Sequence, residues 1–281
     1  MTINRSVLLD FLKRAQKLIF IIELDILREY TPGVNIFVDS EVISLCGFSS
    51  RQLFFLRYKN VDNPYPFNIT IHVQQFKNII SILDGIDSEL VELKQDNAKL
   101  KLQHTSGLFG VETVGNIDII DCFDSDFDYI SFVPDPENNP YLPDVAKNNW
   151  WGKFMLNRLQ LIDILTKHAP FANPDSRRVT FIFEDNKLTI ETRIPHGEIL
   201  AVDTIDIGFV CKKIRTSFNI DYLLDAMREL DGDFVKMQCG IQSGISGFYG
   251  AKFMYALMPV AEEYELRGLA KGNQKARKQH Q

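Results

Sequence analysis

The feature that most constrains this chain is a unit it carries twice, an amphipathic helix followed by alternating strands. In the second copy Ile220, Leu223, Leu224, Met227 and Leu230 recur at spacings of three and four, which lines them along one helical face. Asn219 stands where an N-cap belongs, and Asp231-Gly232 stands where the helix should stop. Val235, Met237 and Cys239 then alternate with polar neighbours as a half-buried strand does, and the stretch closes on Tyr255-Ala256-Leu257-Met258-Pro259-Val260. In the first copy Val73, Phe76, Ile80 and Leu83 repeat the spacing of Ile220, Leu223, Met227 and Leu230. Asp84-Gly85 then matches Asp231-Gly232, and Leu90, Val91 and Leu93 match Phe234, Val235 and Met237. An internal repeat of this kind sets the architecture before any single motif does.

The 281 residues give room for two domains of about 130 residues each. A hydrophobic content of 45% and a charged content of 24% are ordinary for a soluble globular protein. No apolar run approaches the roughly 20 residues that cross a bilayer, and the longest, 18–24, is interrupted by Glu23. The N-terminus has no apolar segment followed by a small-residue cleavage site, so a cytoplasmic protein is expected. Cys46, Cys122, Cys211 and Cys239 form no C-x-x-C pair and read as buried or free thiols in a reducing compartment. The net charge of −6 argues against nucleic acid only on average, because the local field at a surface governs phosphate attraction.

Along the chain, residues 5–22 carry a helical stripe of Val7, Leu8, Phe11, Leu12, Ala15, Leu18 and Ile19, with Lys13, Arg14 and Lys17 on the other side. Strands are expected at 34–38, through Leu45, at 53–58 and at 67–71, a helix at 73–83, and strands near 89–94, 98–103 and 108–113. Residues 118–149 are first acidic, then rich in Pro and Asn, and read as an edge strand and a connector. Beyond them come a strand at 152–156 and a helix at 159–167 with Leu159, Ile162 and Leu165 inward. A hairpin over 179–192 follows, turning at Asp185-Asn186, then a strand at 198–207 and the repeat described above. Helix and strands alternate four times, which gives an α+β fold with two similar domains. Each would carry two helices packed on antiparallel sheets, over 1–135 and 151–262, with a connector at 136–150 and a disordered basic tail at 263–281.

Phe218-Asn219-Ile220-Asp221-Tyr222-Leu223-Leu224, followed by Met258-Pro259-Val260, resembles the last domain of the bacterial DNA polymerase III beta subunit, the DNA sliding clamp. Phe171-Ala172-Asn173-Pro174-Asp175-Ser176-Arg177-Arg178-Val179, running into Glu184-Asp185-Asn186-Lys187-Leu188-Thr189-Ile190, is similar to the start of a clamp domain. The likeness covers most of 152–260, and over 1–135 it rests on the shared helix and strand order. Two departures stand out. The bacterial subunit has three domains and closes as a dimer, whereas this chain has room for two. The family ends at or near its Met-Pro motif, whereas this chain continues to Gln281. By size it is similar to two-domain clamps such as proliferating cell nuclear antigen and phage processivity factors, which close as homotrimers.

The resemblance implies a non-enzymatic processivity factor without cofactors, a ring around double-stranded DNA that holds phosphates without reading bases. It places the helices on the DNA side, with Lys13, Arg14, Lys17, Lys77, Arg158, Lys167 and Arg228 as the DNA-binding residues. The residue-only reading of those side chains is a set of solvated helix charges, and Asp221, Asp225 and Glu229 outnumber Arg228 on the last helix. The resemblance also implies a hydrophobic groove for short peptides of a DNA polymerase and a clamp loader, at Ala256, Leu257, Met258, Pro259 and Val260. The same five residues would otherwise finish a core strand.

Other signals point elsewhere. Asp124, Asp126 and Asp128 begin like a calcium loop, but Tyr129 replaces its glycine and Asp135 its closing Glu. They remain the basis of an alternative, a two-domain metal-dependent enzyme using the acidic connector. A third reading is a clamp-fold peptide-binding protein that closes no ring. His196-Gly197-Glu198 lacks the downstream P-C-x-x-C of zinc deaminases. Gly244, Gly247 and Gly250 fit no phosphate loop and read as loop flexibility. Trp150-Trp151 reads as an anchor at the domain junction, and His72, His104, His168 and His280 have no ligand-spaced partners.

Overall fold

The structure is a computed structural model and describes residues 1–19, 33–48, 52–60, 63, 65–96, 99–106, 110–120, 150–193, 198–208, 213–240 and 245–260. Connector residues 136–149, the tail at 263–281, the acidic triplet Asp124, Asp126 and Asp128, and His196-Gly197 lie outside those residues. The chain separates into two compact units. One holds Met1–Asn148 together with Glu229–Gly232 and Gly247–Ala256, and the other holds Asn149–Arg228, Asp233–Ser246 and Leu257–Gln281.

The first half runs β1 (Thr2–Asn4), α1 (Arg5–Ile19), β2 (Gly33–Val38), β3 (Val42–Phe48), β4 (Gln52–Lys59), β5 (Phe67–His72), α2 (Phe76–Gly85), β6 (Leu90–Asp96), β7 (Lys99–Ser106) and β8 (Gly110–Ile120). The second half repeats that order with β9 (Trp150–Asn157), α3 (Arg158–His168), β10 (Arg178–Glu184), β11 (Lys187–Arg193), β12 (Ile199–Asp206), β13 (Ile214–Asn219), α4 (Ile220–Glu229), β14 (Phe234–Gly240), β15 (Ser246–Tyr249) and β16 (Phe253–Leu257). The expected α+β class with two helices per half is what the chain adopts.

Antiparallel pairing follows the same plan twice. In the first half β1 pairs with β6 (Asn4 opposite Leu90), and β2 lies between β3 and β5. In the second half β9 pairs with β14 (Asn157 opposite Phe234), and β10 lies between β11 and β13. Pairs such as Ile36 with Leu45 and Phe181 with Ile190 put fully buried apolar side chains opposite each other. The β10–β11 turn is made by Asp185 (φ 52°) and Asn186 (φ 61°), the left-handed pair a two-residue hairpin requires.

Helix starts are set by short polar side chains. Asn4 Oδ1 accepts from Ser6 N (2.9 Å), Asn157 Oδ1 from Gln160 N (2.9 Å), and Asn219 Oδ1 from Asp221 N (3.0 Å) and Tyr222 N (3.2 Å). Each such cap stabilises its helix by about 1 kcal/mol. Ahead of α2 the chain makes a 3-10 turn, Val73–Gln75, with His72 Nδ1 accepting from Gln74 N at 3.1 Å.

That tight turn corrects the repeat register drawn from the sequence. Arg5 N donates to Glu89 O (2.8 Å) and Arg158 N to Asp233 O (2.9 Å), while the two guanidinium groups donate to Leu83 O (2.8 Å) and Met227 O (2.9 Å). Leu83 therefore corresponds to Met227, and Phe76, Ile79 and Ile86 correspond to Ile220, Leu223 and Leu230, all of them buried. Ile80, expected inward, is half-buried beside fully buried Ile79. Three residues at three per turn, instead of 3.6, shift the phase of everything after Val73. The match of Asp84-Gly85 to Asp231-Gly232 is thus a coincidence of spacing: Gly85 closes α2 itself, whereas Gly232 (φ 84°) lies past the end of α4.

A second correction concerns α3. Its inward residues are Leu161, Ile164, Leu165 and His168; Leu159 is 60% exposed and Ile162 half-buried. A third concerns the glycines. Gly247 lies within β15, and a Cβ on Gly250 would come within 2.7 Å of the Asp231 carbonyl oxygen, so Gly250 answers a close approach. Asp231 Oδ1 accepts from Lys252 N there at 3.0 Å.

Candidate nucleic-acid and peptide interface

The seven basic side chains singled out from the sequence differ sharply in what they touch. On α1 the buried stripe Leu8, Phe11, Leu12, Ala15 and Leu18 packs on β2, β3 and β4, with Phe11 stacked on Phe54 at 5.2 Å. That packing turns Lys13 and Lys17 outward. Lys13 Nζ lies 2.9 Å from Asp84 Oδ1, and Lys17 Nζ lies 2.7 Å from Glu229 Oε1, with the lysines 45% and 64% exposed. Arg14 is more enclosed. It donates to Asp10 Oδ1 (3.0 Å) and to the Glu229 carbonyl, and its guanidinium sits 4.6 Å from the Phe253 ring centroid, a cation–π contact.

Lys77 is exposed on α2. Arg158 donates to the Met227 carbonyl and thereby caps the end of α4, a structural task. Lys167 pairs with Asp163 one turn back on α3 at 2.5 Å, which raises its pKa; the field of Asp203 adds a smaller push the same way. Arg228, exposed on α4, lies 3.5 Å from Asp225. The helices therefore present lysines held by carboxylates rather than a bare cationic stripe. Exposed pairs of this kind are worth roughly 0–1 kcal/mol, so a phosphate can compete for such a lysine.

The C-terminal segment splits in two. Ala256 and Leu257 end β16 with 1% exposure each, and their side chains belong to the core. Met258 is 42% exposed, Pro259 and Val260 are half-buried, and Val260 N donates to Ser217 O at 2.8 Å. That bond holds the end of the segment against β13.

Two features escaped the sequence. One is the turn between α3 and β10. Asn173 Oδ1 accepts from Asp175 N (2.8 Å), and Arg177, at φ 49°, makes a two-toothed ion pair with Asp221 (2.7 Å twice) and donates to Ala169 O (3.0 Å). The end of α3 is thereby tied to the start of α4. The other is His168, wholly buried, with Nδ1 2.8 Å from Thr192 Oγ1 and Nε2 3.0 Å from Asp203 Oδ2. Partners 24 and 35 positions away leave no local signature. Thr192 is itself fully buried, so its hydroxyl is not open to a substrate.

Among the described residues no group of three or more His, Cys, Asp or Glu side chains gathers as metal ligands, and no helix is long and apolar enough to cross a membrane. Burial pushes the Cys239 thiol up to about 12 and Cys46 further still.

No protein-family model matches the chain, and no curated protein matches it by sequence. Solved structures do match. The DNA polymerase III beta subunit of Thermotoga maritima superimposes with a TM-score of 0.74 at 17% identity, over 93% of this chain and 65% of that one. The beta subunit of Pseudomonas aeruginosa gives 0.72 at 15% identity, over 93% and 66%. That of Caulobacter crescentus gives 0.71 at 15%, over 93% and 65%. The chain thus has the sliding-clamp fold and spans about two thirds of the length of the clamp subunits it matches.

Proposed function

We propose that this chain is a DNA sliding clamp, a non-enzymatic processivity factor that encircles duplex DNA and tethers a replicative polymerase. The observation that carries the reading is the clamp fold over 93% of the chain, built on two halves of identical element order. Two thirds of a three-domain subunit is two domains, and a six-domain ring then takes three copies. Among the described residues β12 is an edge strand of its sheet, and it exposes Ile199 (46%), Leu200 (45%) and Val202 (51%). An unpaired apolar edge invites a strand from another copy, and closure of a ring removes it.

DNA would meet Lys13, Lys17, Lys77 and Arg228 first, with Arg14, Arg158 and Lys167 contributing field rather than direct bonds. Lysines already held by Asp84 and Glu229 bind phosphate weakly and exchange easily, which suits movement along a duplex. Polymerase and loader peptides would rest on Met258, Pro259 and Val260, with buried Ala256 and Leu257 forming the floor. Met there offers a pliable apolar contact to more than one sequence. Light scattering on the full chain tests assembly: the proposal expects three times 32.3 kDa at micromolar concentration, and a stable monomer contradicts it.

A further inference from the structure

The two halves provide an internal control for surface residues, because a side chain the fold requires recurs at both copies of a position. β9 and β14 fail that test at one cross-strand pair, Met155 with Lys236. On their outward face Met155 is 58% exposed and stands opposite Lys236, and Phe234 is 56% exposed and stands opposite Asn157. Lys153, next along that face of β9, is also exposed. At the equivalent places in the first half, β1 and β6 present Thr2 opposite Glu92 and Asn4 opposite Leu90. The inward neighbours, by contrast, are apolar and buried in both copies: Leu156 and Val235 in one, Ile3 and Val91 in the other. Phe234 has an exposed apolar counterpart in Leu90 (53%), so folding accounts for that place and for the inner face and leaves Met155 and Lys236 unexplained.

β9 is also the last strand of its sheet among the described residues, so one row of its backbone N–H and C=O groups meets no neighbouring strand there. A free edge, an exposed Met and Phe, and two lysines together define a partner. We infer that β9 accepts an extended acidic peptide of another protein as an added strand. Its main chain would bond along the edge, an apolar side chain would lie against Met155 and Phe234, and carboxylates would lie near Lys153 and Lys236. The lysines select against a basic peptide by like-charge repulsion. This surface is separate from the segment at 256–260 and does not require the chain to be a clamp.

The test uses the full chain and a fluorescein-labelled eight-residue peptide of alternating Glu and Val, with an alternating Lys and Val peptide as control. Anisotropy should show binding of the acidic peptide and not of the basic one. Met155→Thr with Lys236→Glu, which installs the residue types of the first half, should weaken binding about tenfold or more, since a few central contacts carry most of such an interface. Hydrogen exchange should show new protection in β9. Absence of binding at millimolar peptide, equal affinity for both peptides, or affinity untouched by the double variant overturns the inference. So does protection confined to 256–260, or an assembly mass by light scattering that the double variant lowers.

Discussion

Ala15 and His168 occupy the same point on two copies of one helix. α1 turns Leu8, Phe11, Leu12 and Ala15 into the core, and α3 turns in Leu161, Ile164, Leu165 and His168. Three of the four places are filled by apolar residues in both; at the fourth, one copy has a methyl group and the other an imidazole bonded to Thr192 and Asp203. The comparison teaches that the helix and strand framework tolerates different chemistry at this core site because both ring nitrogens of the imidazole find a partner. The outer faces diverge further still. Beyond Arg5 and Arg158, each bonded to a helix-end carbonyl, α1 carries Lys13, Arg14 and Lys17 with Asp10 as its own acid and Asp84 and Glu229 reaching in from other elements, whereas α3 carries Lys167 alone, paired with its own Asp163. Shared architecture and divergent surface are what a repeated fold with specialised copies should show.

Substitutions at paired positions break or sharpen this comparison. Phe11→Ala should cost about 3–5 kcal/mol, and Ile164→Ala at the matching place about 2–5 kcal/mol, by urea unfolding. A loss below about 1 kcal/mol at either would mean that the helix is not packed as described. Next in size is the exchange of residue types at the fourth place. His168→Ala leaves Thr192 and Asp203 without their partner and should cost about 1–3 kcal/mol, and Ala15→His should overpack the first half by a similar amount. A neutral His168→Ala would show that the buried imidazole is dispensable. Smaller again, Arg158→Ala and Arg5→Ala should each lower stability by about 1–2 kcal/mol, because each frees a helix-end carbonyl. If Arg158→Ala weakens DNA binding while the melting temperature stays fixed, the capping role is refuted. Last, Lys13→Ala with Lys17→Ala should flatten the salt dependence of duplex binding by about two units of slope, while Lys167→Ala should leave it unchanged. Equal effects from both helices would erase the charge contrast between α1 and α3.

Much of this was readable from spacing. The α4 stripe, the Asn219 cap, the Asp185-Asn186 turn and the two-domain α+β plan all rest on local rules that the structure obeys. What could not be read were features set by distant partners. On α3, Leu159, Ile162 and Leu165 make one credible stripe; the true one ends on His168, a polar residue that hides the pattern until Thr192 and Asp203 are in place. On α2, a 3-10 turn of three residues moved the stripe from Ile80 to Ile79, a change no periodicity announces. At the candidate DNA face the residue types were legible but their partners were not. Arg158 looked like its neighbours Lys167 and Arg228, yet it is committed to a backbone carbonyl 69 positions away. The exposed Met155 and Phe234 stood in plain view, but only the matched pair Thr2 and Leu90 in the first half shows that Met155 is a choice rather than a structural need.

The central claim, that copies of this chain close around a duplex, is met most directly by retention on nicked circular DNA followed by linearisation. The account predicts that protein stays with the circle through gel filtration at moderate salt and is lost once the circle is cut. Equal retention on circular and linear DNA, or none on either, would contradict it.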